Sequence, residues 1–139
     1  MSFEVFVQCF TNGERDGVPD LEIQKAFGSH LSVQDEKWWR AYYDELNSSD
    51  ILVQRLPADR RLVHFMSVQR PCGDPRLWDA LVAILRLGHF VLYFPAKKPP
   101  LLIPDESVAR HQPKDMVESM GKLVPVRSGQ DICHEIQTA

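Results

Sequence analysis

The sequence holds three cysteines, and Cys9, Cys72 and Cys133 stand far apart. An odd number without short spacings excludes a zinc cluster or a disulfide framework as the organising principle. Reduced thiols in a cytoplasmic setting are the expectation. Glycine is sparse as well: seven residues, each standing singly, build neither a GxGxxG nor a GxxxxGK[ST] phosphate loop. No GxSxG nucleophile elbow occurs. The five histidines, His30, His64, His89, His111 and His134, form no HxxxH pair and no Cys/His cluster. Neither a metal nor a cofactor is therefore expected.

Basic charge is also in short supply. The formal net charge is −3, which argues against a nucleic-acid partner, since phosphate binding calls for a clustered basic face. No apolar run approaches the ~20 residues of a membrane helix. The opening Met1-Ser2-Phe3-Glu4-Val5-Phe6 lacks the basic start and long apolar run of a signal peptide. No membrane association is expected.

What is present is an ordinary globular composition. The 139 residues, 44% hydrophobic and 25% charged, fit one domain over 1–139 with a core of its own. Residues 3–10 alternate, with Phe3, Val5, Val7 and Cys9 on one side, which is the period of a strand. Asn12-Gly13 and Asp16-Gly17 are breakers. Pro19 or Asp20 opens a short helix that Gly28 closes. A meander follows: strands at 38–44, 50–56 and 62–69, with turns at 47–49 and 57–59. His64 should share a strand face with Leu62, Met66 and Val68, as a hydrogen-bonded structural histidine.

The clearest element is a helix at 75–87. Asp74 supplies a capping carboxylate and Pro75 the first position, while Leu77, Trp78, Leu81, Ile84 and Leu85 repeat at helical spacing. Residues 90–94 make a compact interior strand, and 101–103 a further short one. A helix is expected at 114–120 and an edge strand at 123–127, where Pro125 forbids an inner position. Ser128 and Asp131 outline a capping box for a last helix. The fold class is α+β, a mainly antiparallel sheet with helices on one face. The embedded order strand-helix-strand-strand-helix-strand is compatible with a ferredoxin-like or related split βαβ sheet.

Two stretches, Met1-Ser2-Phe3-Glu4-Val5-Phe6-Val7-Gln8-Cys9-Phe10 and Arg70-Pro71-Cys72-Gly73-Asp74-Pro75-Arg76-Leu77-Trp78-Asp79-Ala80-Leu81, resemble a family of small uncharacterised bacterial proteins. Leu85-Arg86-Leu87-Gly88, Val91-Leu92-Tyr93-Phe94-Pro95 and Pro113-Lys114-Asp115-Met116-Val117 extend the resemblance over most of the chain. It implies a bacterial cytosolic protein of this size and carries no activity.

Two places invite a functional reading. The aromatic and acidic stretch 35–50 gathers Trp38, Trp39, Tyr42 and Tyr43 with Asp35, Glu36, Asp44, Glu45 and Asp50, offset by Lys37 and Arg40. An alternating strand turns half of these aromatics outward unless helices cover both sheet faces. Exposed aromatics among carboxylates suit a protein-binding patch, in particular for a basic partner; the plainer reading is a strand packed on both sides. The second place is the 70–74 loop. There Cys72, just before a helix N-terminus, is a candidate catalytic thiol flanked by Arg70 and Asp74. The Asp74 charge opposes its thiolate, and every other residue from 71 to 75 already has a turn or capping role.

The leading expectation is a non-enzymatic protein-binding domain, in specific form an inhibitor or immunity-type protein covering a toxin. Self-association through the aromatic stretch is a further possibility. The alternative is a small enzyme or ligand-binding domain using the 70–74 loop and Cys72, with His64 or His89 as the conceivable base.

Overall fold

The computed structural model describes residues 3–139. Met1 and Ser2, which begin the segment expected to lack a leader, lie outside the described residues.

Alternation builds the first strand, β1 (Glu4–Thr11). Val5, Val7 and Cys9 are buried on one side, while Glu4, Phe6 and Gln8 are half-buried on the other. Asn12 and Gly13 both take positive φ, 52° and 81°. This is the two-residue hairpin geometry that Asn-Gly favours, and it turns the chain into β2 (Glu14–Arg15), with Thr11 opposite Glu14. A short β3 (Val18–Pro19) leads into helix α1 (Asp20–Phe27), which buries Ile23 and Phe27. Gly28, at φ 65°, ends that helix.

The meander is β4 (Leu31–Val33), β5 (Trp38–Asp44), β6 (Asn47–Arg55) and β7 (Leu62–Gln69). The turn expected at 47–49 falls earlier, at Glu45 and Leu46. Asp44 Oδ1 accepts from the Leu46 amide at 2.9 Å and from the Asn47 side-chain amide at 3.0 Å, so the acidic residue, not the serines, closes the hairpin. Helix α2 (Pro75–Leu85) starts as its sequence dictates: Asp74 Oδ1 accepts from Arg76 N–H at 2.9 Å. Leu77, Trp78, Leu81, Ile84 and Leu85 are all buried, and each large side chain contributes about 1.5–3 kcal/mol before entropy. The remainder is β8 (Phe90–Tyr93), β9 (Leu101–Ile103), a 3-10 segment (Glu106–His111), α3 (Lys114–Ser119), β10 (Leu123–Pro125) and α4 (Gly129–Thr138). The Ser128–Asp131 capping box opens α4.

Among the described residues the sheet runs β10-β9-β8-β1-β7-β6-β5-β4, with β2 beside β1 and β3 beside β7. Every pairing is antiparallel except β9 with β10. Within it, β8-β1-β7-β6 is the ferredoxin-like order: β7 separates β1 and β6, which run the same way, and α1 and α2 occupy the crossovers. The β4–β5 hairpin is inserted after α1 and widens the sheet beyond β6. Pro125 sits on the edge strand β10, where its missing N–H breaks no inner ladder.

Helices α1, α2 and α4 pack on one face, closing the main core over Val5, Val7, Trp39, Ile51, Met66 and Val68. The opposite face is covered only at one end. There the 3-10 segment and α3 bury Phe10, Val91, Leu101 and Ile103 together with Val108. Among the described residues no helix lies on that face across β7, β6, β5 and the Glu4–Gln8 part of β1.

One register shift changes the position of a singled-out histidine. Gln54 is opposite Phe65 but Arg55 is opposite Val63, so His64 is the extra residue of a bulge. Val63, Met66 and Val68 join the main core. His64 instead meets Phe10 of the second face, ring edge to ring face at 5.7 Å. Among the described residues no helix is long and apolar enough to cross a membrane.

Candidate functional site

Antiparallel pairing brings opposite residues to the same side of a sheet, so the ladders define the open face row by row. One row is mainly apolar: Trp38, Leu52, Ser67, Phe6 and Tyr93. The row beside it is polar: Ser32, Arg40, Asp50, Gln69 and Glu4. On the other flank Gln54, Phe65 and Gln8 follow. Phe6 stacks on Phe65 at 5.9 Å and tilts against Tyr93 at 5.3 Å. A mainly apolar stripe, aromatic on three of its strands and interrupted by Ser67, thus crosses five strands between a polar row and a mixed one.

The same pairing settles which side of β5 faces out. Trp38 (38% exposed), Arg40 and Tyr42 (49%) point to the open face. Trp39 (0%) and Ala41 are in the main core. Tyr43 is half-buried on the helix side, with the Arg76 guanidinium 5.0 Å over its ring and the His30 ring at 4.8 Å. Burial, with Cys72 and Asp74 beside it, pushes the Tyr43 hydroxyl up to about 12. Of the four aromatics gathered by the sequence, two are therefore surface and two are packing.

The carboxylates of the stretch are mostly committed within the chain. Asp35 Oδ1 accepts from the Lys37 and Trp38 amides, both at 2.8 Å. Glu36 pairs with Arg60 at 2.7 Å, a contact that holds its carboxyl below the usual range. The Asn47 side chain holds Asp44 down in the same way. Asp50 pairs with Arg40 at 2.9 Å. Glu45 lies exposed at the hairpin tip beside Leu46. Four of these five carboxylates, all but Glu45, close turns or pair with neighbours within the chain.

A groove of about 550 Å³ opens where β5, β6 and the end of β7 meet. Trp38, Arg40, Ser48, Asp50, Gln69 and Arg70 line it. Arg70 occupies the left-handed region, φ 46°, although a proline follows it. Its N–H donates to Phe3 O at 3.0 Å, and its carbonyl accepts from Ser49 Oγ at 3.3 Å. Its guanidinium has no ion pair among the described residues.

Cys72 is half-buried in the following loop. Its N–H donates to Ser49 Oγ at 2.9 Å, and its carbonyl accepts from Trp78 Nε1 at 3.1 Å. The cleft beside this loop, about 510 Å³ between α2 and α4, is walled by Gly73, Pro75, Trp78, Gly129 and Cys133, not by Cys72. His64 and His89, the conceivable bases for Cys72, stand at the far end of the sheet. From His64 to Gln69 alone β7 spans roughly 17 Å at ~3.3 Å per residue. No dyad with either histidine forms.

Those two histidines belong to a cluster that sequence reasoning missed. His64 Nδ1–H faces the carbonyls of Cys9 and Asp16, both at 3.1 Å, which leaves Nε2 to accept from Gln8 Nε2 at 3.1 Å. The Tyr93 hydroxyl donates to Gln8 Oε1 at 3.0 Å. Thr11 Oγ1 donates to Asp16 Oδ2 at 2.7 Å, so His89 Nδ1 is the donor in its 2.8 Å contact with Thr11. His111 Nδ1 accepts from the Asn12 amide at 3.1 Å. No spacing in the sequence announces this cluster, because the β1 hairpin, β7, the start of β8 and the 3-10 segment together bring its members into contact. Groups of three or more His, Cys, Asp or Glu placed to hold a metal do not occur among the described residues.

Compared with protein-family models, with curated proteins and with solved structures, the chain finds no match in any of the three.

Proposed function

We propose that the protein is a non-enzymatic binding module that docks another protein on the open face of its sheet, in the cytosolic setting expected from its unpaired thiols. The observation that carries this reading is the exposure of Trp38, Arg40 and Tyr42 side by side on β5. These are the residue types that dominate binding energy at protein interfaces. The stripe running from Trp38 through Leu52 to Phe6 and Tyr93 supplies an apolar centre, and the flanking rows supply a polar rim, which is the ordinary anatomy of an interface. The inhibitor or immunity-type form, a cover for a toxin, uses this same face.

The test compares tagged wild type with Trp38→Ala at native expression. A stoichiometric protein partner is expected from wild type and is weakened by about 30-fold or more in the variant, the loss typical of a central aromatic anchor, with equal melting temperatures for the two proteins. A partner held equally well by Trp38→Ala, or no partner at all, overturns the reading.

A further inference from the structure

The acidic stretch suggests a basic partner, but the groove on the docking face carries the opposite charge. Its charged lining is Arg40, Arg70 and Asp50. Arg40 and Asp50 neutralise each other at 2.9 Å, which leaves the positive charge of Arg70 in excess. On the far side of Gln69 lies Glu4, whose Oε2 accepts from Ser67 Oγ at 3.4 Å in the next row.

The backbone at Arg70 is strained on purpose-built supports. A non-glycine residue at φ 46° is uncommon, and a residue before proline favours extended conformations. Such a conformation persists only where its surroundings impose it. Here the Phe3 carbonyl takes the Arg70 N–H and the Ser49 hydroxyl holds the Arg70 carbonyl, while the next residue but one, Cys72, donates its own amide to the same hydroxyl. Both backbone groups of Arg70 are thereby tied down, and its side chain is left exposed at the mouth of the groove. A guanidinium offers a planar pair of donors that matches a carboxylate. Trp38 and the exposed Ser48 line the same groove.

We propose that the groove between Trp38 and Arg70 seats a carboxylate of the docked partner, an acidic side chain within an acidic segment. This assignment rests on the reading of the open face as a docking surface and fixes the chemistry of what docks there. Glutamate-rich segments are favoured and lysine-rich ones are repelled.

The experiment is an NMR titration of the ¹⁵N-labelled protein with hexaglutamate, and separately with hexalysine, at low salt. Hexaglutamate is expected to shift the amides of Asp50, Gln69 and Arg70 and the Trp38 indole, and the shifts weaken as salt screens the contact. Arg70→Gly removes the guanidinium while easing the left-handed backbone, so the fold is kept and the affinity falls by about tenfold or more. Arg70→Lys, a point charge without the fork, falls between. Absent shifts in the groove, unchanged binding by Arg70→Gly, or preference for hexalysine overturns the assignment. Hexalysine binding on this face removes the acidic partner but leaves docking in place. A native partner insensitive to Trp38→Ala removes the docking reading, and the peptide titration still decides whether the groove takes carboxylates.

Discussion

The rings of His89 and His111 lie face to face, centroids 3.6 Å apart and planes 5° from parallel. They come from opposite ends of the excursion through β8 and β9. Their stack pins the 3-10 segment to the β1 hairpin, because His111 also takes the Asn12 amide and His89 reaches Asp16 through Thr11. Burial, with the charges of His89 and Arg110 beside it, disfavours a proton on His111, so the contact between the sheet and its partial cover on the second face depends on the protonation of His111.

The dependence has a definite sign. Burial is the first cause that lowers the His64 pKa, with the Arg15 charge adding to it. Burial likewise lowers that of His111, helped by the charges of His89 and Arg110. Each also uses a ring nitrogen as an acceptor, from Gln8 and from Asn12 respectively, and protonation removes that acceptor. Both folded values lie below the ordinary 6.5, so the unfolded chain takes up the protons first as pH falls. Their contribution is complete above about pH 6.5 and declines below it, towards the folded values. Urea midpoints should be lower at pH 5.5 than at pH 7.5. His111→Gln, which keeps an acceptor without titrating, and His64→Gln should each reduce that difference. Equal wild-type midpoints at the two pH values would contradict the arrangement.

Much of this architecture was legible in the residues. The helical stripe of α2 with Asp74 and Pro75 at its head, the alternation of β1, the capping box of α4 and the edge position of Pro125 are local signals, and tertiary packing agrees with each. The face of β5 was not legible for a simple reason. Trp38-Trp39 and Tyr42-Tyr43 place one aromatic in each phase of the alternation, so both registers look alike. The neighbours break the tie: Ala41, Ile51 and Val68 make one side apolar, while Arg40, Asp50 and Gln69 make the other polar. The three-residue β4 gives no period to read, with Ser32 and Val33 both exposed. The bulge at His64 is a pairing event between β6 and β7 and leaves no mark on β7 alone. As to the site, Trp38, Tyr42 and Asp50 were among the expected residues and lie on the open face. Arg70 was noted only as a neighbour of Cys72, since its left-handed backbone and its place in the groove come from Phe3 and Ser49.

The three thiols should differ in reactivity. Cys9 is buried, and burial with the nearby Asp16 charge pushes its thiol up to about 12. Cys72 and Cys133 are half-buried, and burial beside Asp79 raises the Cys133 thiol as well. A thiol-disulfide reagent attacks thiolate, and only where it has access. At pH 8 the native protein should expose two slow thiols to Ellman's reagent, the third appearing on unfolding. Cys9→Ser should remove that late thiol alone. Three thiols reacting together in the native protein would contradict the burial of Cys9.

The seam between α2 and α4 should show how little room a single methyl has. Gly129 opens α4 against the backbone of α2. A Cβ there would lie 2.8 Å from Asp79 N, 2.8 Å from the Trp78 carbonyl carbon and 2.7 Å from Asp79 Oδ1. The carboxylate could swing away only by giving up its 3.3 Å contact with the Gly129 amide, and the helix backbone has no such freedom. Gly129→Ala must therefore lift α4 from α2, at about 1–3 kcal/mol, the usual cost of overpacking. Ser128→Ala, one residue earlier, removes the side chain that accepts from Asp131 N–H and costs about 1 kcal/mol as a lost cap, yet leaves the seam intact. Gly73, whose Cβ would meet nothing within 4 Å, should accept alanine within about 0.5 kcal/mol. Urea unfolding gives the three energies. Fluorescence of Trp78, which is buried at this seam, separates the two losses, because Gly129→Ala should change it in the folded protein and Ser128→Ala should not. If Gly129→Ala proves as harmless as Gly73→Ala, the close docking of α4 on α2 is wrong.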